Sequence, residues 1–432
     1  MIAEPLTLPC GAVLSNRLAK GAMTEGLASP LGVPTPELQT LYRVWSSGGA
    51  GMLLSGNVQI DGGHLERPGN VILDKPADAA MKAALREWAA SGTANGTHFW
   101  MQLSHAGRQT QTSINPTPKA PSAVQVGLPG GRFGVPVPLT HDEILELIGR
   151  FANAAAAAKE AGFTGVQIHA AHGYLISQFL SPRTNLRDDQ WGGALENRAR
   201  LLLDTVAAVR VAVGPSFPVS VKLNSADFQR GGFEFEDSLT VARWLEQAGV
   251  DLLEISGGSY EQPAMMDTDG IEAKEEPKIA ASTAAREAYF VDFAKAMKAE
   301  LKTMPLMVTG GFRTRKAMEH ALATGSADIV GIGRPLCASP AACKSLLDGS
   351  ADLPRYEDEL ALLPAWLAWL GQNKLMRAIS GFGVQMWYYA QIDHIGRHGH
   401  SKPDQSVISA MMQIQRHEKA WLRARHVAVG AS

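Results

Sequence analysis

The chain has 432 residues, 45% hydrophobic and 19% charged, enough to build a large core and too mixed for a disordered or fibrous protein. Its 40 basic side chains meet 42 acidic ones, so no global field draws it to nucleic acid or to an anionic membrane, and neither is expected as a partner. No apolar run reaches the about 18 residues of a membrane span, and Cys10, Cys337 and Cys343 are too few for a disulfide framework.

The opening "MIAEPLTLPC" has no basic segment ahead of an apolar core, so neither signal nor transit peptide is read there and a cytoplasmic protein is expected. A first strand is expected at 17–22, then the helical pattern "PELQTLYRVWSSG" and a second strand at 51–55. The third strand, 97–103, leads into residues 104–139, rich in Pro, Gly, Ser and Thr; an insertion there reads as a lid or cap. Behind Thr140 as N-cap comes "DEILELIGRFANAAAAAKEAG", then a fourth strand at 165–169. "ENRARLLLDTVAAVRVAVG" leads to strand five, 219–223, and "SLTVARWLEQAG" to strand six, 252–256. "AYFVDFAKAMKAELK" precedes strand seven, 306–309; Thr314 then caps "TRKAMEHALATG" before strand eight, 329–332.

One phrase recurs through this series: a helix ends at Gly, which supplies the left-handed cap, and a short β-branched or aliphatic run follows. Eight such strands alternating with helices predict a single (β/α)8 TIM barrel over residues 1–355, with a doubly wound sheet as the second choice. Residues 356–432 read as a helical extension, clearest in "LALLPAWLAWLG" and "QSVISAMMQIQRHEKAWLRARH", packing on the barrel or on a second subunit; a homo-oligomer is left open.

Chemistry in such a barrel sits at the C-terminal ends of the strands. There the chain offers Thr24, Asn57, Gln102, His105, then His169, His172 and Tyr174, then Lys222 and Asn224, and Ser256 with Gly257 and Gly258. Gly310 and Gly311 after strand seven, with Gly333 and Arg334 after strand eight, expose backbone N–H groups beside a cation. That is either a phosphate site or two tight turns with a surface Arg. His169 and His172, with His105 or Asp227, leave a metal-dependent hydrolase or lyase as another reading. "HIGRHGH" (394–400) reads as a solvated loop.

The stretches "LSNRLAKGAMTEG" (14–26), "QLSHAGR" (102–108), "IHAAHGYLISQFLSPRTNLRDDQWGGALENR" (168–198) and "GIGRPL" (331–336) resemble the old yellow enzyme family, the NADH:flavin oxidoreductases, over roughly residues 1–350. The resemblance implies FMN at the barrel mouth, reduced by NADH or NADPH and passing hydride to an activated alkene, a small-molecule substrate. An NADH oxidase or a nitro or xenobiotic reductase on the same scaffold is the alternative. By position, Ala22 and Met23 line the flavin, Thr24 lies beside its C4 carbonyl and Gln102 meets its pyrimidine edge. Gly310, Gly311, Gly333 and Arg334 hold its phosphate. His169 and His172 bind the substrate carbonyl oxygen, and Tyr174, a phenol protonated at pH 7, supplies a proton.

Three positions depart from the family. Lys222 stands where Arg is usual near flavin N1, Asn57 (or its neighbour Gly56) where a small residue is usual, and Gly26 where many relatives have an aromatic substrate contact. "CASPAAC" offers two of the four cysteines of an iron–sulfur cluster and no later GxGxxG follows, so a barrel without an electron relay is expected, and no metal.

Overall fold

A computed structural model describes residues 1–128, 130–256, 293–350, 352–362 and 374–430. Eight parallel strands form one closed barrel: β1 (Leu18–Lys20), β2 (Met52–Gln59), β3 (His98–Ser104), β4 (Gly165–Ala170), β5 (Val219–Asn224), β6 (Leu252–Ser256), β7 (Leu306–Thr309) and β8 (Ile329–Ile332). All eight fall where the sequence puts them. Only β2 runs clearly further, through a bulge between Leu54 and Asn57 that lets it pair on with β3 as far as Gln59.

The helices are α1 (Pro36–Ser46), α2 (Ala79–Thr93), α3 (His141–Ala161), the short α4 (Leu175–Leu180), α5 (Leu195–Val213), α6 (Phe235–Gln247), a helical stretch over 293–300, then α7 (Arg315–Ala323), α8 (Pro335–Ala338) and α9 (Ala342–Leu347). Gly257, Gly258 and the start of "AYFVDFAKAMKAELK" lie outside the described residues. Both expected caps form: Thr314 accepts from the Ala317 N–H at 3.1 Å, and Thr140 accepts from Glu143 N–H at 3.2 Å. At α3 the exchange is mutual, because Glu143 Oε2 accepts from the Thr140 N–H at 2.8 Å. Thr140→Ala therefore leaves helix donors unmatched, and a loss of about 1 kcal/mol in urea unfolding is expected.

The barrel interior changes character along its axis. An N-terminal hairpin, Leu6–Thr7 against Val13–Leu14, plugs the bottom, and Leu8 and Leu14 pack there with Ala19, Met52, Leu54, Trp100, Leu252, Met307 and Ile329. Side chains two residues apart share a face of a strand. One step above Trp100 and Leu252 therefore come Gln102 and Glu254, which join Gln167 and Lys222 in a buried polar layer. The next step brings His169, Asn224 and Ser256 to the mouth.

The tail forms a helical hairpin, α10 (Lys374–His398) and α11 (Val407–Gly430), lying on α1 and on the loops after β1 and β2 of its own barrel. Trp421 Nε1 donates to Ala28 O at 2.9 Å and Arg425 to Pro30 O at 2.8 Å, while Arg67 pairs with Glu418 at 2.8 Å and stacks on the Tyr389 ring at 3.8 Å. The segment "LALLPAWLAWLG" lies mostly outside the described residues. Among those described, no helix is long and apolar enough to cross a membrane.

Candidate active site

The end of β4 and the loop after it hold two imidazoles and a phenol together. His172 sits at φ 61, a backbone region that costs a non-glycine residue energy, so its surroundings must impose it. They do so at both ends: the His172 N–H donates to Asn224 Oδ1 at 3.0 Å, and Gln109 Nε2, from the insertion after β3, donates to His172 O at 2.9 Å. Tyr174 then caps α4, its ring edge-on to His169 at 4.8 Å and 6.5 Å from His172; the two imidazoles are 5.0 Å apart.

Hydrogen bonds decide which ring nitrogens carry protons. Ala171 N–H donates to His169 Nδ1 at 3.2 Å, so the proton of the neutral ring is on Nε2. His172 Nε2 meets Ser256 Oγ at 2.6 Å; when Ser256 donates, the proton of His172 is on Nδ1. Burial first, then the neighbouring His172 and the Lys222 charge, push His169 well below the ordinary imidazole range; burial and Lys222 do the same to His172. Both rings are neutral donors at pH 7.

Gln102 and Lys222 are 1% and 2% exposed, in the polar layer below. Thr24 is buried and its hydroxyl donates to Glu66 Oε2 at 3.0 Å, so it turns a lone pair towards its other side. Ala22 borders the apolar core of the barrel, and Met23 packs beside Cys337, with the two sulfurs 3.2 Å apart. Gly56 backs onto this segment so closely that a Cβ there would lie 2.5 Å from Met23 O. Asn57 is paired in register with Gln102, and its Oδ1 is buried without a hydrogen-bond partner among the described residues. Since β7 and β8 are neighbours, Gly310 (φ 107) and Gly311 (φ 80) come beside Gly333 and Arg334. The backbone at Gly310 and Gly311 is one that a side chain would strain.

These residues fit FMN. Asn57 Oδ1 and Thr309 Oγ1 are buried polar atoms without protein partners among the described residues, one near Gln102 and one just before the glycine pair. A ring with N–H and carbonyl groups, ending in a phosphate, has donors and acceptors for both.

The metal reading fails on geometry. His169 and His172 belong to no candidate metal cluster among the described residues, and Asp227 is held by Asn224 and by the Phe233 N–H. His105 lies with His64 and Asp61, but there Gly107 N–H donates to His105 Nδ1 at 3.0 Å and Lys119 N–H to His64 Nε2 at 2.8 Å. A metal-bound histidine donates from its second nitrogen, whereas these accept. Arg150 also occupies Asp61 at 2.9 Å. The cluster is a hydrogen-bond network tying the insertion to the loop after β2. A cavity of about 360 Å³ between the loop after β1 and the tail is lined by Gly26, Arg67, His417 and Trp421, and none of His169, His172 and Tyr174 lines it.

Buried neutral histidines make stability depend on pH. His105 and His169 are both held well below 6.5, chiefly by burial. Above pH 6.5 folded and unfolded chains are both neutral at these rings. Below it the unfolded chain takes protons that the folded one refuses, so stability falls by about 1.4 kcal/mol per pH unit for each ring. Unfolding midpoints measured from pH 7.5 to 5 should drop; a flat profile contradicts the assignment.

Glu254, Gln167 and Glu66 escaped the sequence reading. The first two had a signal: "LLEIS" and "GVQIHA" each carry a long polar residue, Glu254 and Gln167, in the middle of a buried strand, one step before the polar residue at its end.

Comparison with known proteins identifies the family. Residues 2–352 match the family described as NADH:flavin oxidoreductase / NADH oxidase. The NADH-dependent flavin oxidoreductase iliE of Hypocrea jecorina (strain QM6a) is 38% identical over 365 residues, 79% of this chain and 88% of that protein. The protein of the same name from Neonectria sp. (strain DH2) is also 38% identical, over 78% of this chain, but the match spans only 46% of its own length. Among solved structures, an old yellow enzyme homologue from Zymomonas mobilis superposes with a TM-score of 0.67 at 26% identity, over 84% of this chain and 97% of that one. With the barrel, the motif-bearing strand ends and these matches in agreement, the chain belongs to the old yellow enzyme family of FMN-dependent NADH:flavin oxidoreductases.

Proposed function

We propose that this protein reduces an activated alkene, an α,β-unsaturated carbonyl compound, at the expense of NADH or NADPH. Bound FMN supplies the chemistry of hydride carriage between the two substrates. The chain's own residues do the rest. Gln102, Asn57, Ala22, Met23 and Thr24 surround the ring position, Lys222 brings a cation to its pyrimidine side, and Gly310, Gly311, Gly333 and Arg334 provide the phosphate cradle. His169 and His172 hold the substrate carbonyl oxygen with one N–H each, where negative charge grows as the β carbon receives hydride. Tyr174 delivers a proton to the α carbon, leaving a saturated carbonyl product.

The observation that supports this most is the convergence of two neutral, oriented imidazoles with a phenol at the barrel mouth. Donors that carry no charge of their own suit an oxygen whose charge develops only during the reaction. The names of the Hypocrea and Neonectria relatives support NADH as the donor.

The test begins with the visible spectrum of the purified protein and identification of the flavin that acid releases. The protein is then reduced anaerobically with NADH and mixed with 2-cyclohexenone. Rapid reoxidation with formation of cyclohexanone is expected. Reoxidation by oxygen but by no enone overturns the alkene assignment, and failure to bind FMN overturns the site.

A further inference from the structure

Two of the residues placed at the flavin, Lys222 on β5 and Gln102 on β3, are joined through the barrel interior. Lys222 Nζ lies 2.9 Å from Glu254 Oε1 on β6, with the two side chains 3% and 0% exposed. Glu254 Oε2 accepts from Gln167 Nε2 at 2.8 Å, and Gln167 Oε1, on β4, accepts from Gln102 Nε2 at 2.7 Å. One buried carboxylate thus sits behind both groups. Its cost is high, since ions removed from water are tolerated in a core only when paired and hydrogen-bonded. Below this layer the barrel is apolar, with Trp100, Leu252 and Met307, so packing alone gives no reason for a glutamate here.

We propose that Glu254, with Gln167, is a positioning residue that sets the reduction potential of the bound flavin. Glu254 does two things. It cancels most of the positive charge that Lys222 brings to the pyrimidine side of the ring, so the reduced, more anionic flavin is stabilised less than a lone cation would stabilise it. Through Gln167 it also turns one N–H of Gln102 away from the ring, which leaves the Gln102 carbonyl oxygen and a single N–H to face it. The substitution of Lys for Arg therefore comes with a counter-ion. An ammonium is a point charge that one carboxylate oxygen can hold, whereas a planar guanidinium fork would demand two.

This inference rests on the placement of Lys222 beside FMN, and the test separates the two. The midpoint potential of the bound flavin is measured at pH 7 against reference dyes in the wild-type holoenzyme, Glu254→Gln, Lys222→Met and the double variant. Glu254→Gln should raise the potential, shifting the two-electron equilibrium about tenfold towards reduced flavin, which is about 30 mV. Lys222→Met should lower it, and the double variant should return near wild type. Glu254→Asp, which restores the charge at greater distance, should fall between wild type and Glu254→Gln and serves if the glutamine variant folds poorly. A potential that moves with Lys222→Met and stays fixed in both Glu254 variants overturns the proposal. A potential indifferent to Lys222→Met overturns the placement of Lys222 itself.

Discussion

His172→Ala is expected to slow reoxidation of the reduced enzyme by an enone roughly 10²- to 10³-fold, because under the proposed mechanism it removes one of two donors to the developing oxyanion. Reduction of the flavin by NADH should change far less, since the nicotinamide develops no such charge at that place. The structure adds a finer expectation. His172 offers Nδ1–H only while Ser256 donates to its Nε2 across 2.6 Å. Ser256→Ala should therefore lower the enone step in the same direction by a smaller factor, as part of the ring population turns to the other tautomer. Ser256→Thr, which keeps the hydroxyl, should recover it. Stopped-flow measurement of each half-reaction separates these cases. Equal losses in both half-reactions from His172→Ala would mean that the residue serves the flavin or the strained loop at φ 61 rather than the substrate.

The barrel was legible because its signals are local and repeated. A glycine cap followed by a short aliphatic run needs no knowledge of distant residues, and Gly162 at φ 97, closing α3 just before β4, shows the phrase as folded. Where the candidate residues lie was legible for a related reason: strand ends are fixed by strand positions, so His169 and the glycine pairs could be assigned to the C-terminal ends of the strands, with Lys222 one layer beneath the mouth. Partners were not legible. Nothing local to Thr24 announces Glu66, 42 residues on, as the acceptor of its hydroxyl. Glu254 meets Lys222 only once two strands lie side by side in register. The tail's docking was hidden for the same cause, since Glu418 finds Arg67 across 351 residues of sequence. What sequence alone carried was periodicity; what it left out was pairing between side chains of different strands and loops.

Tyr174→Phe should divide the reactions open to this scaffold. Alkene reduction requires a proton at the α carbon as well as hydride at the β carbon, and a positioned proton donor contributes roughly 10²- to 10⁴-fold. Transfer of electrons from reduced flavin to molecular oxygen requires no proton on carbon, so it does not depend on a phenol held at the substrate. The substitution keeps the ring that packs edge-on against His169 at 4.8 Å and removes only the hydroxyl; an unchanged flavin spectrum and unfolding midpoint separate a catalytic loss from a folding defect. Enone turnover by Tyr174→Phe should then fall by a factor in that range while NADH-driven oxygen consumption stays near the wild-type rate. If the enone rate is untouched, another group or water protonates the α carbon and Tyr174 is there to shape the pocket. If oxygen consumption proves the faster reaction in wild type and neither activity responds, the protein is better described as an oxidase, and the histidine pair must be explained by a different electrophile.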